Sequence, residues 1–450
     1  MVRKPRVRAF YTKARAPSYT AGESVFDGGG SMQKIVVQGG APLSGTVTVG
    51  GSKNAALPLL FAGILTADEC VFHQLPRVSD VLRALEILKS LGAKIRFFSS
   101  GEVTVDYRGV RPLTPPAEET LAIRGSTYLL GSMLGRFGVA TLAGAGGCDF
   151  GSRPIDQHLA GFAALGAGNE EKNGVLRVSA VKDLHPAEFR LAMPSVGATA
   201  NLMMAMTAVT GESVIRNAAA EPHVGALAAF LTAAGAKIKG APGETVRIDG
   251  GKPLYGCEFT VIPDMIEAGT YLAFGMACGG RVTVQNTAPE DLGAVLETIR
   301  KMGGKVIVAD RAVTVISDGK YRGTDLVAAP YPAFPTDLQP QFAALLALGG
   351  HCEGESRVTD TVFPTRFRYA EELCRMGARM KTEGNTVHVR PAELTAGEVA
   401  APDLRGGAAL LLAALATKGE STIRRAALIG RGYEHLAAKL GALGARVKCI

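Results

Sequence analysis

Tryptophan is absent from this 450-residue sequence, aromatic residues make up only 6% of it, and cysteine and histidine each occur seven times. The histidines form no HxxxH pair and the cysteines no CxxC pair, so a zinc site has little support. The cysteines are odd in number and scattered, and no secretory leader precedes them. These features predict reduced thiols and a cytoplasmic protein.

Several functional motifs are also missing. The sequence has no GxxxxGK[ST] loop, no GxGxxG that opens a helix within a βαβ unit and no GxSxG elbow. These absences argue against a P-loop nucleotidase, a dinucleotide-binding fold and a serine hydrolase. No run of about 18 uncharged apolar residues could span a membrane. Basic residues do not cluster with aromatic residues beyond the N-terminus, so neither a nucleic acid nor a membrane is an expected partner.

Positive charge is concentrated at the N-terminus. The first 31 residues hold six Lys or Arg and two acidic residues, which accounts for half of the net charge of +8. They show no apolar periodicity, so we predict a flexible basic extension over 1–31. A targeting peptide and a true start at Met32 are the alternatives.

From Met32 onward the chain repeats one plan six times. Six amphipathic segments end alike around a central glycine, as in LKSLGAKI and LTAAGAKI. Leucines recur every three residues in DVLRALEILKSLGAKI, which predicts a helix with one buried stripe. The glycine then supplies the left-handed position that ends the helix, and a strand follows. The six glycines are Gly92, Gly166, Gly235, Gly303, Gly377 and Gly444.

A second type of helix recurs between the amphipathic helices, and its successive copies start 68 or 71 residues apart. These helices are apolar nearly all round, which predicts that they are buried. Short strand-like runs flank them. Their predicted first residues are Lys53, Arg124, Ser195, Ile266, Asp337 and Arg405.

One unit is therefore strand, buried helix, strand, amphipathic helix and two strands, and six units account for 32–450. A unit of about 70 residues is marginal alone, so we predict an α/β fold with three units in each of two similar domains.

The starts of the buried helices suggest an anion site. Each helix N-terminus offers free backbone N–H groups and a partial positive charge. If three such ends meet in each domain and the domains face each other, the cleft between them attracts anions. The competing interpretation is that the polar first residues are only caps or solvated helix starts.

One cysteine, Cys148, lies in the glycine-rich segment LAGAGGCDFGSRP at 142–154. By itself this segment is equally well explained as an exposed surface loop.

Five segments carry a resemblance to a known family. They resemble the UDP-N-acetylglucosamine enolpyruvyl transferases, also called UDP-N-acetylglucosamine 1-carboxyvinyltransferases, collinearly from about Met32 to the C-terminus. The pairing of GGC-x3-[AS]RP with PAFPTD is highly specific. The segments are GGSKNAALPLLFAGIL (50–65), GGCDFGSRPIDQHLAG (146–161), SVGATANLMMA (195–205), APYPAFPTDLQPQF (329–342) and RGYEHLAAKLGALGA (431–445).

The resemblance implies a two-domain inside-out α/β barrel, the enolpyruvyl transferase fold, with six βαβαββ units. It places one domain at 53–262, with the cysteine loop, and the other at 32–52 plus 263–450. It implies transfer of the enolpyruvyl group of phosphoenolpyruvate to the 3′-hydroxyl of UDP-N-acetylglucosamine with release of phosphate, the first committed step of peptidoglycan synthesis. These two small molecules are the implied partners, and neither a metal nor an organic cofactor is needed.

The resemblance also assigns roles to residues. Asp337 matches the residue that accepts the proton of the sugar hydroxyl. Cys148 matches the residue that delivers a proton to the methylene carbon, can form a covalent adduct and reacts with fosfomycin. A thiol with the ordinary pKa of about 8.5 is mostly protonated at neutral pH, and nearby cations should lower that pKa. Lys53 and Arg431 complete the implied catalytic set. The implied phosphoenolpyruvate contacts are Lys53, Asn54, Arg153, Arg366, Arg405 and Arg431.

Contacts to the nucleotide sugar are implied as well, and Tyr128 stands where an aromatic residue is usual. Three positions depart from the family pattern: Met193 and Ala220 replace basic residues, and Gly430 replaces an acidic one. The departures leave two alternatives open, a weakened paralogue that binds UDP-sugars and a transferase for another acceptor. The implied contacts are Asn54, Arg124, Arg153, Pro154, Ile155, Asp156, Gln157, Ser195, Val196, Asp337 and Val362.

Overall fold

A computed structural model of the chain describes residues 33–143 and 155–450. The extension predicted at 1–31 and the segment with Cys148, Arg153 and Pro154 lie outside the described residues. Within the described ranges, no helix is long and apolar enough to cross a membrane.

In chain order the helices are α1 (Lys53–Ala62), α2 (Ser79–Ser90), α3 (Ala117–Ala122), α4 (Leu129–Phe137), α5 (Asp156–Ala164), α6 (Val196–Thr207), α7 (Pro222–Ala233), α8 (Met265–Cys278), α9 (Gly293–Lys301), α10 (Gln339–Ala347), α11 (Arg368–Arg375), α12 (Leu404–Ala416) and α13 (Leu436–Ala442). Apart from α3, they alternate between the two predicted types. Those of the buried type are α1, α4, α6, α8, α10 and α12, and every residue of α12 is buried. A 3₁₀ turn, Arg124–Tyr128, precedes α4.

The strands are short and flank these helices. They are β1 (Lys34–Gly39), β2 (Leu43–Thr48), β3 (Glu69–His73), β4 (Lys94–Phe97), β5 (Val103–Asp106), β6 (Val139–Ala143), β7 (Ala167–Lys172), β8 (Val175–Ala180), β9 (Glu188–Arg190), β10 (Gly211–Arg216), β11 (Lys237–Lys239), β12 (Thr245–Gly250), β13 (Glu258–Thr260), β14 (Gly280–Gln285), β15 (Lys305–Ala309), β16 (Ala312–Ser317), β17 (Tyr321–Arg322), β18 (Leu326–Ala328), β19 (Cys352–Glu353), β20 (Ser356–Asp360), β21 (Arg379–Glu383), β22 (Thr386–Arg390), β23 (Glu398–Ala400), β24 (Gly419–Arg424) and β25 (Arg446–Cys449).

Among the described residues, one small sheet is associated with each repeat unit, and β17 pairs with β19 in a further two-stranded sheet. Five of these sheets have four strands in the described residues, in the orders β13-β3-β5-β4, β11-β12-β10-β9, β15-β16-β14-β2, β18-β20-β22-β21 and β23-β24-β1-β25. The second unit has three, β6-β8-β7. In that unit, helix α3 lies where the other units have their first strand, and it follows Pro115 and Pro116, which cannot donate to a sheet.

All six predicted glycines adopt the left-handed conformation, with φ between 88° for Gly444 and 117° for Gly235. The bond that closes this type of helix end follows five of them; for example, Ala93 N donates to Leu88 O at 3.0 Å. The prediction of glycine-terminated amphipathic helices is therefore confirmed.

The buried apolar side chains form two separate cores. One core is built from residues between Ala55 and Val261. The other combines Ile35–Val49 with residues between Ile266 and Leu443. This membership supports the predicted division at 53–262 and 32–52 plus 263–450, which stays a prediction at the level of boundaries.

The chain crosses between the cores twice, and the two crossing segments lie side by side. Segments 50–53 and 261–264 form a short antiparallel ribbon, in which Ser52 N donates to Ile262 O at 2.7 Å. The strand before each crossing pairs within the half of the molecule that the chain is leaving: β2 pairs with β14, and β13 pairs with β3. The N-terminus of α1, which carries Lys53, therefore starts at the junction of the two cores.

Candidate active site

Asp337 is the meeting point of side chains from both cores. Its Oδ1 accepts a hydrogen bond from Arg366 Nη1 at 2.8 Å, and its Oδ2 accepts one from Arg405 Nη2 at 3.1 Å. Asn54 Nδ2, on α1 of the other core, donates to the same Oδ2 at 3.3 Å. Three of the predicted ligand-binding residues thus converge on the predicted proton acceptor.

The prediction that Asp337 is the first residue of its helix is wrong by two positions. Helix α10 begins at Gln339 with Leu338 at its N-cap position, and no side chain caps it. Pro340 lies in the first turn, which requires no N–H at that position. Asp337 therefore directs its carboxylate to the two arginines and the asparagine rather than to the helix.

The ionisation of Asp337 follows from these neighbours. Burial raises the pKa of its carboxyl group, but the charges of Arg405, Arg366 and Lys53 outweigh burial and hold that pKa well below its usual range. The group is therefore a carboxylate at neutral pH.

Further contacts hold the two arginines in place. Arg405 is 1% exposed and follows Asp403, whose Oδ1 caps helix α12. The Arg405 guanidinium lies 5.5 Å from the centre of the Tyr433 ring. Arg366 Nη1 also contacts Thr336 Oγ1 at 3.3 Å. Both cations are therefore held in one orientation next to Asp337.

A second carboxylate, Asp80, joins the other two cations that are predicted to contact phosphoenolpyruvate and lie within the described residues, Lys53 and Arg431. Lys53 Nζ lies 3.3 Å from Asp80 Oδ2, and Arg431 Nε lies 2.7 Å from Asp80 Oδ1. Arg431 Nη2 also donates to Ala122 O at 3.3 Å, near Arg124. Burial raises the pKa of Asp80, but Lys53 and Arg431 outweigh it and lower that pKa.

Asp80 is not among the site residues predicted from the sequence. It lies in the first turn of the amphipathic helix α2, where an acidic residue is common because of the helix dipole. Asp156 in α5 and Glu371 in α11 occupy the same type of position. The pattern therefore offered no signal that separates Asp80 from its equivalents.

A second group of predicted residues lies at the starts of α5 and α6. Ser195 is the N-cap of α6 and accepts a bond from Ala198 N at 3.3 Å, so the cap interpretation is correct for this residue. Val196 is the first residue of α6 and Asp156 the first of α5. Ile155 directly precedes α5 and packs against the first core.

Gln157 links these two helix starts. Its Oε1 accepts hydrogen bonds from Ala192 N at 2.7 Å and from Met193 N at 3.3 Å. Met193 itself is 46% exposed. Gln157 therefore holds the segment before Ser195 by its backbone.

Arg124 lies close enough to His158, in α5, for its charge to act on that side chain. Burial, and then the charge of Arg124, lower the pKa of His158 to about 4, while Asp156 opposes the shift. Val362, in contrast, belongs to the half of the molecule that contains Asp337: its N–H donates to Asp360 Oδ1 at 2.9 Å, and Asp360 Oδ2 accepts a hydrogen bond from Thr336 Oγ1 at 2.6 Å. The structure thus brings Arg124 and the α5–α6 residues together and places Val362 near Thr336, which precedes Asp337.

Known proteins are similar to this chain over most of its length. The family model of EPSP synthase (3-phosphoshikimate 1-carboxyvinyltransferase) matches residues 37–440. UDP-N-acetylglucosamine 1-carboxyvinyltransferase 1 of Symbiobacterium thermophilum is 44% identical over 423 residues, which cover 93% of this chain and 95% of that protein. UDP-N-acetylglucosamine 1-carboxyvinyltransferase 3 of Caldanaerobacter subterraneus subsp. tengcongensis is 42% identical over 417 residues, which cover 92% of this chain and 99% of that protein. The chain belongs to the UDP-N-acetylglucosamine 1-carboxyvinyltransferase family.

Solved structures agree with the assignment to this family. The enolpyruvyl transferase NikO of Streptomyces tendae is similar with a TM-score of 0.82 and 25% identity, over 92% of this chain and 98% of that one. An EPSP synthase of Acinetobacter baumannii shares the fold at a TM-score of 0.70 and 19% identity, over 92% of this chain and 100% of its own. The predicted enolpyruvyl transferase fold is confirmed.

Proposed function

We propose that the chain transfers the enolpyruvyl group of phosphoenolpyruvate to the 3′-hydroxyl of UDP-N-acetylglucosamine, with release of phosphate, in the cytoplasm. The observation that carries the proposal is the meeting of four cations and two carboxylates where the cores face each other, in a member of this family. The cations are Lys53, Arg366, Arg405 and Arg431.

The charge of the cluster suits phosphoenolpyruvate, which carries a phosphate and a carboxylate. Four cations exceed the two carboxylates, so the cluster keeps a positive balance. Arg405 Nε and Nη1 are buried donors without a hydrogen-bond partner among the described residues. Such donors are costly unless a ligand satisfies them. Each charge-assisted bond to the substrate would contribute on the order of 1.5–3 kcal/mol.

The proposed reaction is an addition followed by an elimination. The sugar oxygen bonds to C2 of phosphoenolpyruvate while its proton passes to Asp337, and Cys148 delivers a proton to C3. The tetrahedral ketal phosphate then loses a proton from C3 and expels phosphate, which restores the double bond. A carboxylate with a low pKa is a weak base for an alcohol, so the proton must move as the C–O bond forms in a preset geometry.

The direct test is phosphate release from phosphoenolpyruvate by the purified chain, with and without UDP-N-acetylglucosamine. The proposal expects release that depends on the nucleotide sugar. Release at the buffer background, together with saturable binding of the nucleotide sugar, would instead support the weakened paralogue. Release only with a different acceptor would support the third alternative.

The proposed thiol is tested separately with fosfomycin. We expect a mass increase of one fosfomycin on the peptide that contains Cys148 and loss of turnover. The matched control is C374A, which removes an exposed cysteine on α11 and should leave the labelling unchanged. Equal labelling of C148A would remove the assignment of Cys148.

The departures from the family pattern concern the nucleotide sugar. Met193 is held by backbone contacts to Gln157, and Gly430 directly precedes Arg431 in a 3₁₀ turn. The basic charge missing at Met193 is expected to weaken nucleotide-sugar binding rather than the chemical step. M193K should therefore lower the KM for UDP-N-acetylglucosamine with little change in kcat.

A further inference from the structure

We propose that Asp80 is a positioning residue that holds Lys53 and Arg431, one from each core, in the orientation that receives the phosphate group of phosphoenolpyruvate. The inference rests on the proposed function, because it assigns the geometry of that site to a residue outside the predicted set.

The contacts of Asp80 are unusual in joining distant parts of the chain. Arg431 is 351 positions away and belongs to the other core, yet its Nε and Nη2 reach the two Asp80 oxygens at 2.7 and 3.4 Å. Lys53 Nζ reaches Oδ2 at 3.3 Å. The Asp80 side chain is only 6% exposed, and those of Lys53 and Arg431 are 13% and 15% exposed.

The two cations need such a partner. An ammonium and a guanidinium that share one carboxylate lie close enough to repel each other, and water screens this repulsion poorly where side chains are buried. Asp80 offsets the repulsion with one negative charge between them. It also lies in the first turn of α2, where the helix dipole favours a carboxylate.

A comparison with Asp337 separates positioning from chemistry. Each carboxylate bridges two cations, but Asp337 is 23% exposed and also meets Asn54 across the junction of the cores. Asp80 likewise has both oxygens engaged by cations, but its side chain is only 6% exposed. Asp337 can therefore meet a substrate hydroxyl, whereas Asp80 is suited to hold the cations that meet the phosphate. Donors fixed in advance need little reorganisation when the anion arrives.

The test compares D80N, D80E and the control D106N. Asp106 also pairs with an arginine, Arg108, but it is the last residue of β5 and that arginine is 63% exposed. For D80N we expect kcat/KM for phosphoenolpyruvate to fall at least tenfold, while the KM for UDP-N-acetylglucosamine changes less than threefold. D80E, which keeps the charge, should recover part of the loss, and D106N should match the wild type.

A double-mutant cycle with R431Q distinguishes positioning from a general structural role. If Asp80 acts through Arg431 and Lys53, adding D80N to R431Q should reduce kcat/KM by much less than D80N does alone. Unchanged phosphoenolpyruvate kinetics in D80N, fully multiplicative losses, or a D80N defect that follows a lowered Tm and equally affects both substrates would each overturn the proposal.

The same comparison can be made without turnover. Calorimetric titration of phosphoenolpyruvate, with UDP-N-acetylglucosamine present, should give a Kd at least tenfold higher for D80N than for the wild type or D106N. An inactive wild type would contradict the proposed function, while its phosphoenolpyruvate Kd would still decide the role of Asp80. Equal Kd values for wild type and D80N would count against that role.

Discussion

At Asp337, burial and positive charge act in opposite directions on the same carboxyl group, and charge is the stronger effect. The pKa is therefore depressed, so this carboxylate contributes stability above its unfolded pKa of about 3.9 and loses it only as pH falls through the lower folded value. Across the neutral range it stays ionised. Any loss of activity between pH 5 and 7 must then come from another group.

We expect D337N to lower kcat by two to four orders of magnitude, because an amide cannot accept the hydroxyl proton. The variant keeps the size of the side chain, and steady-state phosphate release measures the effect. D325N is the control, since Asp325 is 50% exposed and pairs with Arg357, which is 65% exposed. A D337N enzyme with more than a tenth of the wild-type kcat would contradict the base assignment, provided that its melting curve is unchanged.

His158 provides a prediction about pH and stability. It is 5% exposed, and its folded pKa of about 4 lies below the unfolded value of about 6.5. Between these values the unfolded chain binds the proton and the folded chain does not. Stability should therefore be complete above pH 6.5 and fall by roughly 3 kcal/mol as pH decreases toward 4.

Thermal melting from pH 7.5 to 4.5 tests this dependence. H158Q cannot titrate, so its Tm should fall less steeply with acid than that of the wild type. H388Q removes a histidine that is 45% exposed and should leave the slope unchanged. Parallel curves for the wild type and H158Q would show that His158 is not the responsible group.

At the scale of elements, the buried helices α4 and α6 pack with their backbones in close approach. Gly131 on α4 donates its N–H to Asn201 Oδ1 on α6 at 2.7 Å. A Cβ at this glycine would lie 2.3 Å from Asn201 O. The glycine content of these helices thus sets how closely they approach each other, in addition to their apolar surface.

We expect G131A to destabilise the chain by about 1–3 kcal/mol or more, because the added methyl group meets backbone that cannot move aside. G441A is the matched control: Gly441 lies in α13, and a Cβ there meets nothing within 4 Å. That change should be neutral or slightly stabilising through helix propensity. Equal melting temperatures for the two variants would contradict the packing argument.

The helices were easier to predict from the sequence than the site residues. The amphipathic helices and their glycine ends follow from local periodicity and from the left-handed conformation, so they were predictable. The start of α10 was misplaced because the Asp337 carboxylate is used by Arg366 and Arg405, which are distant in sequence. Asp80 was missed for the same reason: its partner Arg431 becomes a neighbour only when the two cores meet.

For the whole molecule, the two cores meet at a site whose parts come from both. Lys53 is the last residue of one ribbon segment and Asn54 follows it, and they contact Asp80 and Asp337 respectively. The position of the ribbon therefore determines how the group around Asp80 is placed relative to the group around Asp337. A small shift of this ribbon should affect chemistry more than it affects the stability of either core.

The substitution G51A tests this dependence. A Cβ at Gly51 would lie 1.9 Å from Gln74 O and 3.2 Å from a Val261 methyl, so the ribbon must move. Displacements of about 1 Å can cost a hundredfold in rate. We therefore expect kcat/KM to fall at least tenfold, with a smaller loss of Tm than in G131A. The control is G293A at the start of α9, where a Cβ meets nothing within 4 Å. If G51A lost stability and activity in the same proportion as G131A, the ribbon would be ordinary packing rather than the element that aligns the two halves of the site.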